Sequence, residues 1–234
     1  MKKFLAIMAA MGIAGVASAD LVSGDVAVIS VNADGTKPFA WVALVDIPAS
    51  TTINFTDNGI LSTDLLRTGE GVQSWSHTSL VPAGTVITLP SSSVATPAWS
   101  LGTGTGSINF NPSGSGDQII VFTGDVSTPT YIYGANWANS GWVAGATSSN
   151  NSKAPTANVH VGSLDNFQYA GTQSGTRNDL LAAISNPANW NTGSDSAAYT
   201  WTGGNFTVIP EPASIGLLGM FGVAALLRRR VALK

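Results

Sequence analysis

Cysteine is absent from the 234 residues, which excludes a disulfide framework, a thiol nucleophile and a cysteine metal cluster. Charge is scarce as well. Only 10% of residues are charged, against about 25% in an average soluble domain, which argues against a coiled coil, an acidic disordered tail and a nucleic-acid binder. Histidine occurs twice, at His77 and His160, too few for a three-histidine zinc site. Catalytic signatures are missing too: there is no H-E-x-x-H, no G-x-S-x-G elbow, no Walker A loop and no G-x-G-x-x-G after a strand. Gly102-Thr103-Gly104-Thr105-Gly106 is Gly-rich, but it lacks the lysine and helix start of a phosphate cradle and reads as a flexible loop. With no catalytic constellation in view, the expectation is a protein that is not an enzyme and needs no cofactor.

Long hydrophobic runs occur only at the two ends. Met1-Lys2-Lys3 is a short basic start, residues 4–16 are apolar, and Ala17-Ser18-Ala19 puts small residues at −3 and −1 of a cut before Asp20. That is the layout of a secretory signal peptide, handled by the Sec export machinery and signal peptidase. At the other end, Pro210-Glu211-Pro212 precedes residues 213–227, a run in which only Ser214 is polar, and Arg228, Arg229 and Arg230 follow. As a helix at about 1.5 Å per residue, the run is about 22 Å long and crosses a membrane with local thinning. Apolar residues cover every face of it, unlike an amphipathic core helix. The arginines mark the cytoplasmic side, which puts the bulk of the chain outside the inner membrane. The two prolines keep the segment around Glu211 extended, so the helix stops short of it and the segment stays open to a protease.

This tail resembles the PEP-CTERM sorting signal of Gram-negative bacteria. The match lies in Pro210-Glu211-Pro212, in the apolar helix with Gly216, Gly219 and Gly222, and in the arginine cluster; it covers about the last 25 residues. The resemblance implies a membrane-bound cysteine protease of the exosortase type as partner and a transient stay in the inner membrane. It also implies a destination at the cell surface or in the extracellular exopolysaccharide matrix. On that resemblance, Pro210, Glu211 and Pro212 are read by another enzyme.

Three regions result: a signal peptide at 1–19, an extracytoplasmic domain at 20–209 and the sorting signal at 210–234. In the middle region four cations (Lys37, Arg67, Lys153 and Arg177) face twelve carboxylates, a net charge of −8. Such a surface repels nucleic acid and anionic headgroups. Runs at 25–31, 39–45, 51–56, 85–89, 118–122, 130–133 and 205–208 are β-branched or alternate with period two. Gly, Asn and Pro turns break them, so the pattern predicts an antiparallel β-sandwich. Ile47-Pro48-Ala49-Ser50-Thr51-Thr52-Ile53 echoes Val81-Pro82-Ala83-Gly84-Thr85-Val86-Ile87, the same turn chemistry leading into two strands. Thr176-Arg177-Asn178-Asp179 has capping-box form and Asn186-Pro187 is a stop, which predicts one short helix over 180–184. Trp99, Trp137 and Trp142 sit in or beside long polar stretches at 91–107 and 144–157. They are expected to plug into the core, with ligand stacking as the alternative. The segment 39–122 resembles lamin-tail-type immunoglobulin-like sandwiches of bacterial surface proteins. The likeness rests on Trp41-Val42-Ala43-Leu44-Val45, Val81-Pro82-Ala83-Gly84-Thr85 and Gly116-Asp117-Gln118-Ile119-Ile120, and it implies a fold.

The cluster with chemical promise is acidic. Asp57, Asp64 and Glu70 fall in one loop region with Arg67. A carboxylate pair is what a glycosidase needs, while the plainer expectation is a solvated loop with an Arg67 ion pair. Asp57-Asn58-Gly59 offers hard oxygens to calcium but lacks the D-x-D-x-D-G spacing. The expected function is that of an exported structural or adhesive component of the envelope or exopolysaccharide matrix. A carbohydrate- or calcium-dependent binding module is the alternative, and a secreted hydrolase the second.

Overall fold

The computed structural model describes residues 20–194 and 199–211. Ala17, Ala19, Pro212, the apolar run 213–227 and Arg228, Arg229 and Arg230 lie outside the described residues. Among the described residues no helix is long and apolar enough to cross a membrane. The described residues are mainly β, with antiparallel sheets and one α-helix. Its strands are β1 (Val26–Asn32), β2 (Phe39–Ala43), β3 (Thr52–Thr56), β4 (Val72–Ser76), β5 (Val86–Leu89) and β6 (Gln118–Thr123). They continue with β7 (Thr130–Asn136), β8 (Asn158–His160), β9 (Asn166–Tyr169), β10 (Ser174–Thr176), β11 (Trp190–Gly193) and β12 (Thr207–Ile209).

One five-stranded sheet has the order β11-β9-β1-β2-β5 and the other β4-β3-β6-β7-β8. The expected antiparallel pairing holds except at β7–β8 and at the separate β10–β12 pair, which are parallel. Both exceptions follow long connections, which let a returning chain align with an earlier strand instead of opposing it. The helix α1 (Arg177–Ile184) has the expected capping box: the Thr176 hydroxyl accepts from Asp179 N, and the Asp179 carboxylate accepts from Thr176 N. Leu180 and Ile184, four apart, point the same way and are buried.

The sheets meet through aromatic rings. Trp41 from β2 lies 4.9 Å from Trp75 of β4 and 5.6 Å from Phe55 of β3, measured between ring centroids; Phe39 lies 5.2 Å from Phe55. Trp99 joins from its loop, 5.6 Å from Phe39, and its Nε1 donates to Ser74 O at 3.0 Å. Trp137 is fully buried and donates to Ser113 O at 2.9 Å. Both are plugs, as expected. Trp142 is half-buried against a second cluster of Ile60, Leu66, Ile120 and Phe122 on the opposite face of β6.

Two edges of the sheets are closed by the chain itself. Residues 103–105 lie along β4: Ser74 N donates to Thr105 O and Ser76 N to Thr103 O, both at 2.8 Å. The Gly-rich stretch is thus an ordered strip, which corrects the reading of it as flexible. A Cβ on Gly104 would stand 1.8 Å from Ser74 O, so the strip fits only where this side chain is missing. On β5, Val86 N donates to Asn205 Oδ1 and Thr88 N to Ser100 Oγ, each at 2.9 Å. The two echoed segments pair with each other at Ile47 and Val81, and their turns place Ser50 (φ 63) and Gly84 (φ 88) in the left-handed region. Gly104→Ala is expected to lower stability by about 1–3 kcal/mol, the range for overpacking, as read from urea unfolding midpoints.

Candidate functional site

Strand register assembles a carboxyl cluster at one end of the second sheet. Thr56 pairs with Ile120 on β6 and with Val72 on β4, so just beyond β3 the residues Gln118 and Glu70 fall on either side of Asn58. Asp57 and Asp117 join them and are 1% and 2% exposed. Asp57 Oδ2 accepts from Asn111 N at 2.6 Å. Asp117 accepts from Ser113 N at 2.8 Å, from Gln118 N at 2.9 Å and from Gln118 Nε2 at 2.8 Å. Gln118 Nε2 also donates to the Asp57 carbonyl and to Ser149 O. The cluster therefore staples the loops around residues 111 and 149 onto the sheet end.

Burial dominates its electrostatics. It pushes the Asp57 carboxyl up to about 6, against the Asn111 hydrogen bond and the charge of Lys37. It pushes Glu70 up to about 7, with the Asp57 charge adding and Arg67 opposing. It pushes Asp117 up to about 8, with Asp57 and Glu70 adding and the donors Ser113 N and Gln118 N opposing. Asp57 Oδ1, Glu70 Oε2 and Gln118 Oε1 are buried without a hydrogen-bond partner.

Of the acids singled out in the sequence, Asp57 and Glu70 come together and Asp64 does not. Asp64 sits at φ 63 in a turn, and its exposed carboxylate pairs with Lys153 Nζ at 2.6 Å instead of Arg67. Asp117 takes its place; its signal in the sequence is an acid directly before the strand that begins at Gln118. The calcium reading of Asp57-Asn58-Gly59 gains no ligands here. Asn58 Oδ1 accepts from Glu70 N, and among the described residues no three His, Cys, Asp or Glu side chains converge as a metal requires. His77 Nδ1 contacts Ser79 and His160 Nδ1 contacts Asn136 Oδ1, local partners outside the cluster.

The second site is the C-terminal junction. Pro210 and Glu211 are exposed, as is Asp20, the first described residue. Glu211 Oε1 accepts from Asn178 Nδ2 at 2.7 Å. Asn178 Oδ1 accepts from Arg177 Nη1, whose Nε donates to Asp25 Oδ1, both at 2.9 Å. A chain of side chains thus links the start of β1 to the end of β12. Elsewhere, a groove of about 470 Å³ is lined, among the described residues, by Gln168, Trp190, Asn191, Thr192 and Tyr199.

Compared with known proteins, the chain matches no family model, no curated protein and no solved structure.

The carboxyl cluster sets a pH dependence. Folded pKa values lie above the ordinary carboxylate values near 4, so the folded state holds more protons than the unfolded one between those limits. The stability contribution is fully present below about pH 4 and is lost as pH rises through about 6 to 8. Urea midpoints are expected to fall from pH 5 to pH 8, and Asp57→Asn with Asp117→Asn is expected to flatten that slope.

Proposed function

We propose that the protein is exported, is sorted through its C-terminal signal, and works at the cell surface or in the exopolysaccharide matrix as a structural or adhesive component. The observation that carries this reading is the position of the last strand among the described residues. β12 ends at Ile209, and the exposed Pro210 and Glu211 of the motif follow at once. Its partners are the Sec machinery, signal peptidase, an exosortase-type protease and exopolysaccharide. The body is a sandwich of the immunoglobulin-like, lamin-tail-like class. Strand order supports this: β1, β2 and β5 take the places of strands A, B and E, while β4, β3, β6 and β7 take those of C′, C, F and G. The body does not catalyse. Asp57 and Asp117 are buried beneath loops, which supports this part of the reading. Intact mass of the protein from the host surface and medium tests the whole. A chain starting at Asp20 and ending close to Glu211 is expected; one still ending at Lys234 overturns it.

A second reading is a carbohydrate-binding module. Trp99 and Trp137 are buried and cannot stack a sugar, which corrects the expectation for these two; Trp142 is half-buried. What favours this reading is the groove where Gln168, Asn191 and Thr192 offer amides and a hydroxyl beside the Tyr199 ring. Calorimetry is expected to show binding of neutral polysaccharide over acidic polysaccharide, weakened by Asn191→Ala. No heat from either rules it out.

A further inference from the structure

No spacer separates the folded body from the motif. Phe206 is buried in the main core, stacked 5.9 Å from Tyr169 and 6.0 Å from Trp201 between ring centroids. Its N–H donates to Gly84 O, and Thr207 N donates to Gln173 O, both at 2.8 Å. β12 then pairs with β10 residue by residue as far as Ile209. The next residue is Pro210, which has no N–H, so the backbone ladder cannot go further. A side chain takes over: Asn178 Nδ2 holds Glu211 Oε1 at 2.7 Å. Asn178 belongs to α1, and its other side-chain atom is fixed by Arg177 Nη1 at 2.9 Å. Arg177 in turn is anchored by Asp25 Oδ1 and by Ser23 O. The grip on Glu211 is therefore tied through α1 to the residues just before β1.

A protease draws its substrate into a cleft as an extended segment and pairs with that segment's backbone and side chains. Here the backbone of 207–209 is engaged by β10 and the Glu211 carboxylate by Asn178. We infer that the fold clamps the chain through β12 and Glu211, so that the processing enzyme acts only on the minor population in which β12 has left β10 and Glu211 has left Asn178. The inference rests on the sorting reading and adds its regulation. Processing is gated by a local opening of the body, and the apparent affinity of the enzyme is reduced by the fraction of chains that are open. Correct folding of the body, with α1 docked, thereby sets the pace at which the chain leaves the membrane.

The test follows shortening of the full chain in its host by pulse–chase. Three forms are compared: wild type, Asn178→Ala, and a chain with six Gly/Ser residues inserted between Ile209 and Pro210. The insertion leaves every residue of the body in place and frees the motif. Losing one hydrogen bond to a carboxylate is expected to speed processing by roughly fivefold or more, and the insertion at least as much. Hydrogen exchange on the purified full chain in detergent is expected to show a protected Thr207 amide in the wild type. Equal shortening rates in all three forms overturn the clamp and leave the sorting reading standing. A Thr207 amide that exchanges at the free-chain rate also overturns the clamp. Full-length chain persisting in all three forms overturns the sorting reading on which the clamp rests.

Discussion

Phe39 and Trp41 project from β2 onto Phe55 and Trp75 of the opposite sheet, and the rest of the molecule is arranged around that contact. Rings of this size bury much apolar area in a few residues, which suits a chain whose strands are only three to seven residues long. They also leave gaps that short strands cannot fill. Trp99 and Phe110 come in from the loops to fill them, at 5.6 and 5.9 Å from Phe39. The length of the polar connection at 91–107 is explained by this delivery, because the chain must travel from β5 past the edge of β4 before it returns to β6.

The same need for loops to cross the sheet end creates the carboxyl cluster. Loop backbone brings N–H groups that want acceptors, and Asp57 and Asp117 supply them to Asn111 and Ser113. Burying acids to satisfy amides raises the energy of the charged form, and two carboxyl oxygens and one amide oxygen are left without partners. This sheet end is therefore held by hydrogen bonds whose acceptors favour protonation.

Much of this was legible in the sequence, in proportion to how local the cause is. The runs at 25–31, 39–45, 51–56, 85–89, 118–122 and 130–133 correspond to β1, β2, β3, β5, β6 and β7, and the run at 205–208 overlaps β12. The capping box foretold α1 because its two hydrogen bonds lie within four residues. β4 went unseen because Val72-Gln73-Ser74-Trp75-Ser76 mixes one tryptophan with polar residues that face covering loops. β9 alternates as Asn166-Phe167-Gln168-Tyr169, a period-two signal short enough to pass for a loop. The nearness of Asp117 to Asp57 depends on the β3–β6 register, sixty residues apart, and no local pattern encodes it. Asp64 was misplaced for the opposite reason: it is close in sequence, but a left-handed turn aims it at Lys153. The Pro210-Glu211-Pro212 motif was read from its own residues; the hold of Asn178 on Glu211 was not, since α1 and Glu211 meet only through the β10–β12 pair.

The strip at 103–105 on β4, and the side chains of Ser100 and Asn205 on β5, bear on how many molecules behave together. An open sheet edge is a template for a neighbour's strand, and exposed edges at high local concentration fuse into fibrils. With these two flanks already occupied by the protein's own backbone and side chains, copies packed shoulder to shoulder have no free ladder there to join. Pairing of one such body with another through its five-stranded sheets is thereby confined to their remaining edges, β11 and β8.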